Sequence, residues 1–230
     1  MPPGDGTIRG MSTTTAAEVR PEPAQPGRRY AGRTAVERRA ERRRRLLEAG
    51  HELFGTAGYP ATSIEELCAA AAISTRTFYE EVDGREELLL LLHAEVLRGA
   101  EAAVLRALSS APLDDATARA RAAMRAFVDF MTADPRNARL AYVEVVGVSP
   151  AVERQRHAWM EHFAALVQAE AAHLAGLGLV PRRDFELTGM AVVGAIDHLV
   201  VHWAAAHRRP SRERLVGEMV RFVVAALSAP

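Results

Sequence analysis

The sequence predicts an all-α protein of about nine helices, a small N-terminal three-helix unit followed by a larger helical domain. Three observations carry this. Alanine and leucine crowd the chain while aromatic residues make up only 6%, which favours helix over a β-sandwich. Apolar residues recur at i, i+3, i+4 and i+7, as in Leu46, Leu47, Gly50, Leu53, Phe54 and Ala57. Capping residues, several followed by proline, then divide the chain into helix-length segments. A length of 230 residues gives room for one or two domains and a core that needs neither disulfide nor metal. No uninterrupted apolar stretch approaches the roughly 18 residues of a membrane-spanning helix, so no membrane partner is expected. The single cysteine, Cys68, permits no internal disulfide and suits a reducing compartment, so a cytoplasmic location is expected.

The elements follow in order. Residues 1–35 combine prolines, glycines and a Ser/Thr tract without apolar periodicity, and are expected to be a disordered tail. They contain no apolar core of a secretory signal, and Met11 offers an alternative start. Every one of the 29 basic residues is arginine, balanced by 29 acids, but the distribution is uneven. Between Arg28 and Arg45 nine arginines face Glu37 and Glu41, a local balance of +7. From Leu46 to Leu90 two arginines face nine acids, a balance of −7. The basic signal is therefore local, and it marks a polyanion contact. Arg38, Arg42, Arg44 and Arg45 are the expected phosphate contacts at the start of the first helix.

After Gly58-Tyr59-Pro60, either Thr62 or Ser63 can cap a second helix, because Glu65 and Glu66 complete a capping box with each. Ile64, Leu67 and Cys68 share its apolar face, so Cys68 is read as core. Ser74 caps a short third helix through Tyr79, and two short helices joined by a tight turn form a helix-turn-helix over 36–83. Asp83 with Glu86 is expected to box the start of a long fourth helix. Phe78 faces inward, which leaves Ser74, Thr75, Arg76, Thr77 and Tyr79 for DNA. Arg76 can grip a guanine bidentately, a contact worth about 1–3 kcal/mol of discrimination.

The run Thr62-Ser63-Ile64-Glu65-Glu66-Leu67, then Ile73-Ser74-Thr75-Arg76-Thr77-Phe78-Tyr79 and Gly84-Arg85-Glu86-Glu87-Leu88, resembles the TetR family of bacterial repressors. The resemblance spans roughly Val36 to Leu92. It implies a homodimer that binds double-stranded, pseudo-palindromic operator DNA through a three-helix domain. It also implies that a C-terminal domain, here 84–230, binds a small-molecule effector and supplies the dimer interface. Carried over by position, DNA contacts fall at Thr62 or Ser63, at Thr75 to Thr77, at a phosphate-binding Tyr79, and at Arg85 in place of the family's usual lysine. Two departures stand out. Ala72 occupies the turn position usual for glycine, at a cost of roughly 1 kcal/mol. Glu80 and Glu81 follow the tyrosine and are expected to repel phosphate, with Arg28 to Arg45 compensating as an arm along the backbone or into the minor groove.

The C-terminal helices have clear starts. Asp114 or Asp115 opens one to Ala133, Asp134-Pro135 another to about Val146, and Ser149-Pro150 a third to about Leu174. A helix from about Arg182 to Ala206 and a last one after Ser211, ending near Leu227, complete the chain. The penultimate helix is apolar around most of its circumference, and one chain can hardly cover it alone. Val192, Val193, Ile196, Leu199 and Val200, with Leu215, Met219, Phe222 and Val223 of the last helix, are the expected dimer interface, as two-helix packing in the family implies. Met124, Phe127, Met131, Tyr142, Trp159, Phe163 and Met190, with Glu144, Arg154 or Arg156 as polar anchor, are the expected lining of an effector pocket for a mainly apolar compound.

No Gly-x-Ser-x-Gly, His-Glu-x-x-His or phosphate loop occurs, so no enzyme, catalytic residue or cofactor is expected. Asp197, His198 and His202 have ligand spacing, but the flanking glutamate of a zinc hydrolase is absent and no metal is expected. The function expected is that of a repressor released from its operator by an apolar effector. The alternative is the same DNA-binding fold governed by a protein partner, or acting as an activator.

Overall fold

The structure, a computed structural model, describes residues 34–229. The expected tail up to Tyr30, the arginines Arg28, Arg29 and Arg33, and the start at Met11 lie outside the described residues. The chain from Arg39 onward forms one compact unit. Among the described residues there are nine α-helices and no strand, in agreement with the all-α expectation.

The helices are α1 (Ala35–Thr56), α2 (Ile64–Ala71), α3 (Thr75–Glu81), α4 (Arg85–Ser109), α5 (Ala116–Ala133), α6 (Pro135–Tyr142), α7 (Pro150–Gly176), α8 (Glu186–Ala205) and α9 (Arg212–Ser228). Most begin where a side chain accepts an otherwise unpaired backbone N–H. Ser63, Ser74, Asp115, Asp134, Ser149 and Ser211 all do this. Ser63 also completes its box with Glu66, which settles the choice between Thr62 and Ser63.

Three boundaries differ from expectation. The Asp83–Glu86 box does not form: Gly84 precedes α4 without a side-chain cap, and the Glu87 carboxylate takes the Asp83 N–H at 2.5 Å. α6 stops at Tyr142, well short of Val146, where Val143 and Glu144 both donate to the Arg139 carbonyl and the chain turns. α8 starts at Glu186, because Arg183 is drawn to the Ala226 and Ala229 carbonyls and its guanidinium stacks on Phe185.

From Arg39 onward one continuous core is assembled. α4 packs on α5 and α6, α5 on α9, and α7 on α8. Two glycines allow close approach. A Cβ on Gly50 of α1 would stand 2.9 Å from Leu92 and 3.0 Å from Leu88 of α4, and one on Gly189 of α8 would stand 2.7 Å from the Ala164 carbonyl oxygen of α7. Cys68 is buried among these apolar side chains, as expected. α8 is long and apolar enough to cross a membrane by length and composition. Here Val192, Val193, Ile196, Val200 and Trp203 are buried and α8 packs against α6, α7 and α9, so one side of its apolar circumference is covered within the chain.

Candidate DNA-binding surface and ligand cavity

The turn between α2 and α3 closes through Ala72, which takes the left-handed conformation at φ 51° and ψ 51°. Its N–H and that of Ile73 return to the Ala69 and Cys68 carbonyls at 3.2 and 3.0 Å, ending α2 and swinging the chain into α3. α3 packs on α2 and is anchored by Phe78, which is fully buried in the common core. With Phe78 inward, helical geometry turns Thr75, Arg76 and Tyr79 out: the Arg76 side chain is 89% exposed and Tyr79 54%.

The remaining sequence-predicted DNA residues have other neighbours. Ser74 accepts the Thr77 N–H, and the Ser74 and Thr77 hydroxyls meet at 2.9 Å. Thr62 is buried and donates to the Gly58 carbonyl at 2.8 Å. Arg85 donates to the Tyr59 and Thr62 carbonyls and lies over the Tyr59 ring, so its guanidinium holds the α1–α2 loop. Arg38 is half-buried in the first turns of α1.

The arginines of α1 are largely engaged within the fold. Glu81, expected to repel phosphate, has a side chain only 1% exposed, facing Arg39 at 3.3 Å and Arg42 at 3.4 Å, while Arg43 donates to its carbonyl at 2.8 Å. That correction has a clear cause: a carboxylate buried between two guanidinium groups is neutralised where it stands. Glu80 is exposed but tethers Arg76 at 3.1 Å. Arg44 spans Glu41 and Glu48, and Arg45 reaches the Ala72 carbonyl at 3.5 Å.

α6 joins this unit to the rest of the chain. Arg139 donates to the Thr56 carbonyl at 2.6 Å and to Glu144 at 2.6 Å, and Glu144 accepts the Tyr59 N–H at 2.6 Å. His51 meets Asn137 at 2.9 Å, and Arg136 pairs with both Glu52 and Asp134. The end of α1 is thus clamped by α6 through polar contacts, and Glu144 belongs to this clamp.

The other end of α6 reaches a cavity of about 330 Å³ between α4, α5, α7, α8 and α9. Met124, Phe127, Tyr142 and Phe163 line it, as do Val192, Val193, Ile196 and Val223, which sequence reasoning had placed in a dimer interface. Trp159 lines a smaller adjoining cavity of about 30 Å³ that shares Tyr142, Phe163 and Asp197. Met131 is fully buried in the core, and Met190 lines neither cavity. Arg119, Glu170 and Asp197 are lining residues the sequence did not single out for this site. Asp197 was visible only as part of a metal-like spacing, and no cluster of metal-ligating side chains forms among the described residues.

Burial dominates the chemistry here. Desolvation and the neighbouring Asp197 carboxylate hold the Tyr142 hydroxyl well above its ordinary pKa. Desolvation pushes Asp197 up to about 6, against the opposing effects of the Tyr142 hydrogen bond and the Arg156 charge. His93 of α4, which lines the smaller cavity, is lowered to about 4 by burial and by Arg156, and its Nδ1 meets Gln155 at 2.9 Å.

Of the nine expected dimer residues, Val192, Val193, Ile196, Val200, Leu215, Met219 and Val223 are buried within their own chain. Leu199 is half-buried and Phe222 is 40% exposed. The outward face of α8 instead presents Leu187, 82% exposed, with Ala191, Gly194 and His198.

A helix-turn-helix with an outward polar face, carried on an α-helical domain with its own cavity, is an arrangement suited to a DNA-binding transcriptional regulator. Residues 46–92 match the family described as bacterial regulatory proteins, tetR family. The fold as a whole is similar to a tetR-family regulatory protein from Rhodococcus RHA1, at 20% identity over 82% of this chain and 98% of that one, with a TM-score of 0.64. It is also similar to FadR from Bacillus subtilis in complex with stearoyl-CoA, at 14% identity over 80% of this chain and 98% of that one, TM-score 0.71. AibR in complex with isovaleryl coenzyme A and operator DNA matches at 19% identity over 78% of this chain and 96% of that one, TM-score 0.61.

Proposed function

We propose that this chain is a cytoplasmic homodimeric repressor, with residues 36–83 reading a pseudo-palindromic operator and residues 84–230 binding a small, mainly apolar effector and forming the dimer. The observation that carries the reading is the path from one to the other: Tyr142 lines the cavity at one end of α6, while Arg136, Asn137 and Arg139 of the same helix hold the end of α1. A ligand that moves Tyr142 therefore moves the seat of the helix-turn-helix. Release requires only a differential affinity between the two placements of about 1–3 kcal/mol. Complexes of similar folds with operator DNA and with acyl-CoA ligands support DNA and a small molecule as partners.

The proposed DNA contacts are Thr75, Arg76 and Tyr79, with Ser63 and Ser74 at the two caps. The proposed dimer surface is the outward face of α8 with Phe222 of α9, where Leu187 is otherwise left in water. Two copies related by a two-fold axis present α3 twice, about one helical turn of DNA apart. Selection of bound duplexes from a random pool, followed by competition with apolar compounds, tests the proposal. A paired site that compounds release supports it, whereas a paired site that no compound releases refutes the effector role.

A further inference from the structure

The cavity between α4, α5, α7, α8 and α9 holds a charge that its own walls leave unmatched. Its lining is apolar apart from Glu101, Arg119, Tyr142, Glu170 and Asp197. Arg119 and Glu170 satisfy each other bidentately at 2.5 and 3.1 Å, and the same guanidinium also reaches the Leu108 carbonyl. Glu101 meets His162 Nε2 at 2.8 Å. Asp197 is half-buried, lines the cavity beside Tyr142, and forms no ion pair among the described residues. Arg156, whose field reaches it, lines only the smaller adjoining cavity and is paired with Glu153 at 2.7 Å.

A carboxylate in apolar walls is costly to ionise, and a cation delivered beside it recovers that cost. With its pKa near 6, Asp197 is mostly ionised at neutral pH and available for such a partner. The rings of Phe127, Tyr142 and Phe163 line the same space and accept a cation on their faces as readily as they accept an alkyl group. An anionic ligand meets the opposite conditions, since it adds a second negative charge near Asp197 while Arg119 is already committed to Glu170.

We propose that the ligand of this cavity is an apolar compound carrying one basic nitrogen, which binds protonated and paired with Asp197 beside Tyr142. The inference rests on the cavity being the effector site. A volume of about 330 Å³ admits a compound at the small end of the drug-sized range.

Three probes of one shape test it on the full chain by calorimetry near neutral pH: 4-phenylbutylamine, 4-phenylbutanol and 4-phenylbutyrate. The amine is expected to bind about 10- to 100-fold more tightly than the alcohol, as a charge-assisted hydrogen bond gives, and the acid most weakly. In Asp197→Asn the amine should fall to the affinity of the alcohol, whose own affinity stays within about twofold. Equal affinity of amine and alcohol for the unsubstituted chain overturns the inference and leaves the apolar-cavity reading standing. Binding of none of the three overturns both, and neither result depends on the variant folding.

Discussion

The turn of the helix-turn-helix offers a sharp test, because Ala72 is the one non-glycine residue with positive φ among those described. Replacing it by glycine removes a left-handed penalty of about 1–2 kcal/mol for an L-residue and adds about 0.5–1 kcal/mol of unfolded-state entropy. Ala72 is exposed, so deleting its methyl group forfeits little burial. Ala72→Gly is therefore expected to stabilise the chain by about 0.5–1 kcal/mol, a rise in Tm of about 1–4 °C at this size. Ala72→Val, stiff at χ1 and poorly suited to positive φ, should destabilise by more than about 1 kcal/mol. Thermal unfolding followed by circular dichroism measures both. A glycine variant that melts below the parent would refute the reasoning, since it would mean that the Cβ at this turn helps the fold.

Other perturbations have equally definite signs. Glu81→Gln leaves Arg39 and Arg42 facing a neutral amide; with Arg39 largely exposed, the loss should be about 1–2 kcal/mol in urea unfolding, and an unchanged midpoint would count against the clamp on α3. Arg76→Ala should relax base preference at one position per half-site by about 1–3 kcal/mol, read by competition between duplexes differing at that base pair. Asp197 and His93 predict opposed pH dependences. Asp197, raised to about 6 in the folded chain, makes stability fall as pH rises from about 4 to 6; the facing groups are Tyr142 of α6 and Arg156 of α7. His93, lowered to about 4 and facing Gln155 and Arg156 of α7 and the Ala141 carbonyl, makes stability fall as pH drops from about 6.5 to 4. Asp197→Asn should consequently show a steeper loss of Tm on acidification than the parent, and His93→Gln a shallower one; parallel profiles would contradict both assignments.

Local chemistry was legible in the sequence, and partnership was not. Ser74, Asp134, Ser149 and Ser211 cap helices where the sequence places them, because a cap depends on residues within one turn. The inward Phe78 and outward Tyr79 follow from helical periodicity alone. The arginines of α1 show the limit: their charge is visible in the sequence, but the carboxylate that engages Arg39 and Arg42 is Glu81, some forty positions on, and only the packing of α3 brings it there. The same holds for α8. Apolarity on most of its circumference reveals that Val192, Val193 and Ile196 are buried, but not that a cavity in their own chain, rather than a second copy, receives them. Glu144 looked like a ligand anchor beside Tyr142, yet α6 ends at Tyr142 and the following turn delivers Glu144 to the Tyr59 N–H.

The account stands on the outward residues of α3 making the DNA contact. The direct measurement is the affinity of the full chain for a selected duplex, by fluorescence anisotropy across salt concentrations, against a variant combining Thr75→Ala, Arg76→Ala and Tyr79→Ala. All three side chains are exposed, so the variant should fold with an unchanged circular dichroism spectrum and a Tm within a few degrees. The predicted result is a loss of affinity of about 100-fold or more with a shallower salt dependence. Undiminished affinity and an identical salt slope would contradict it.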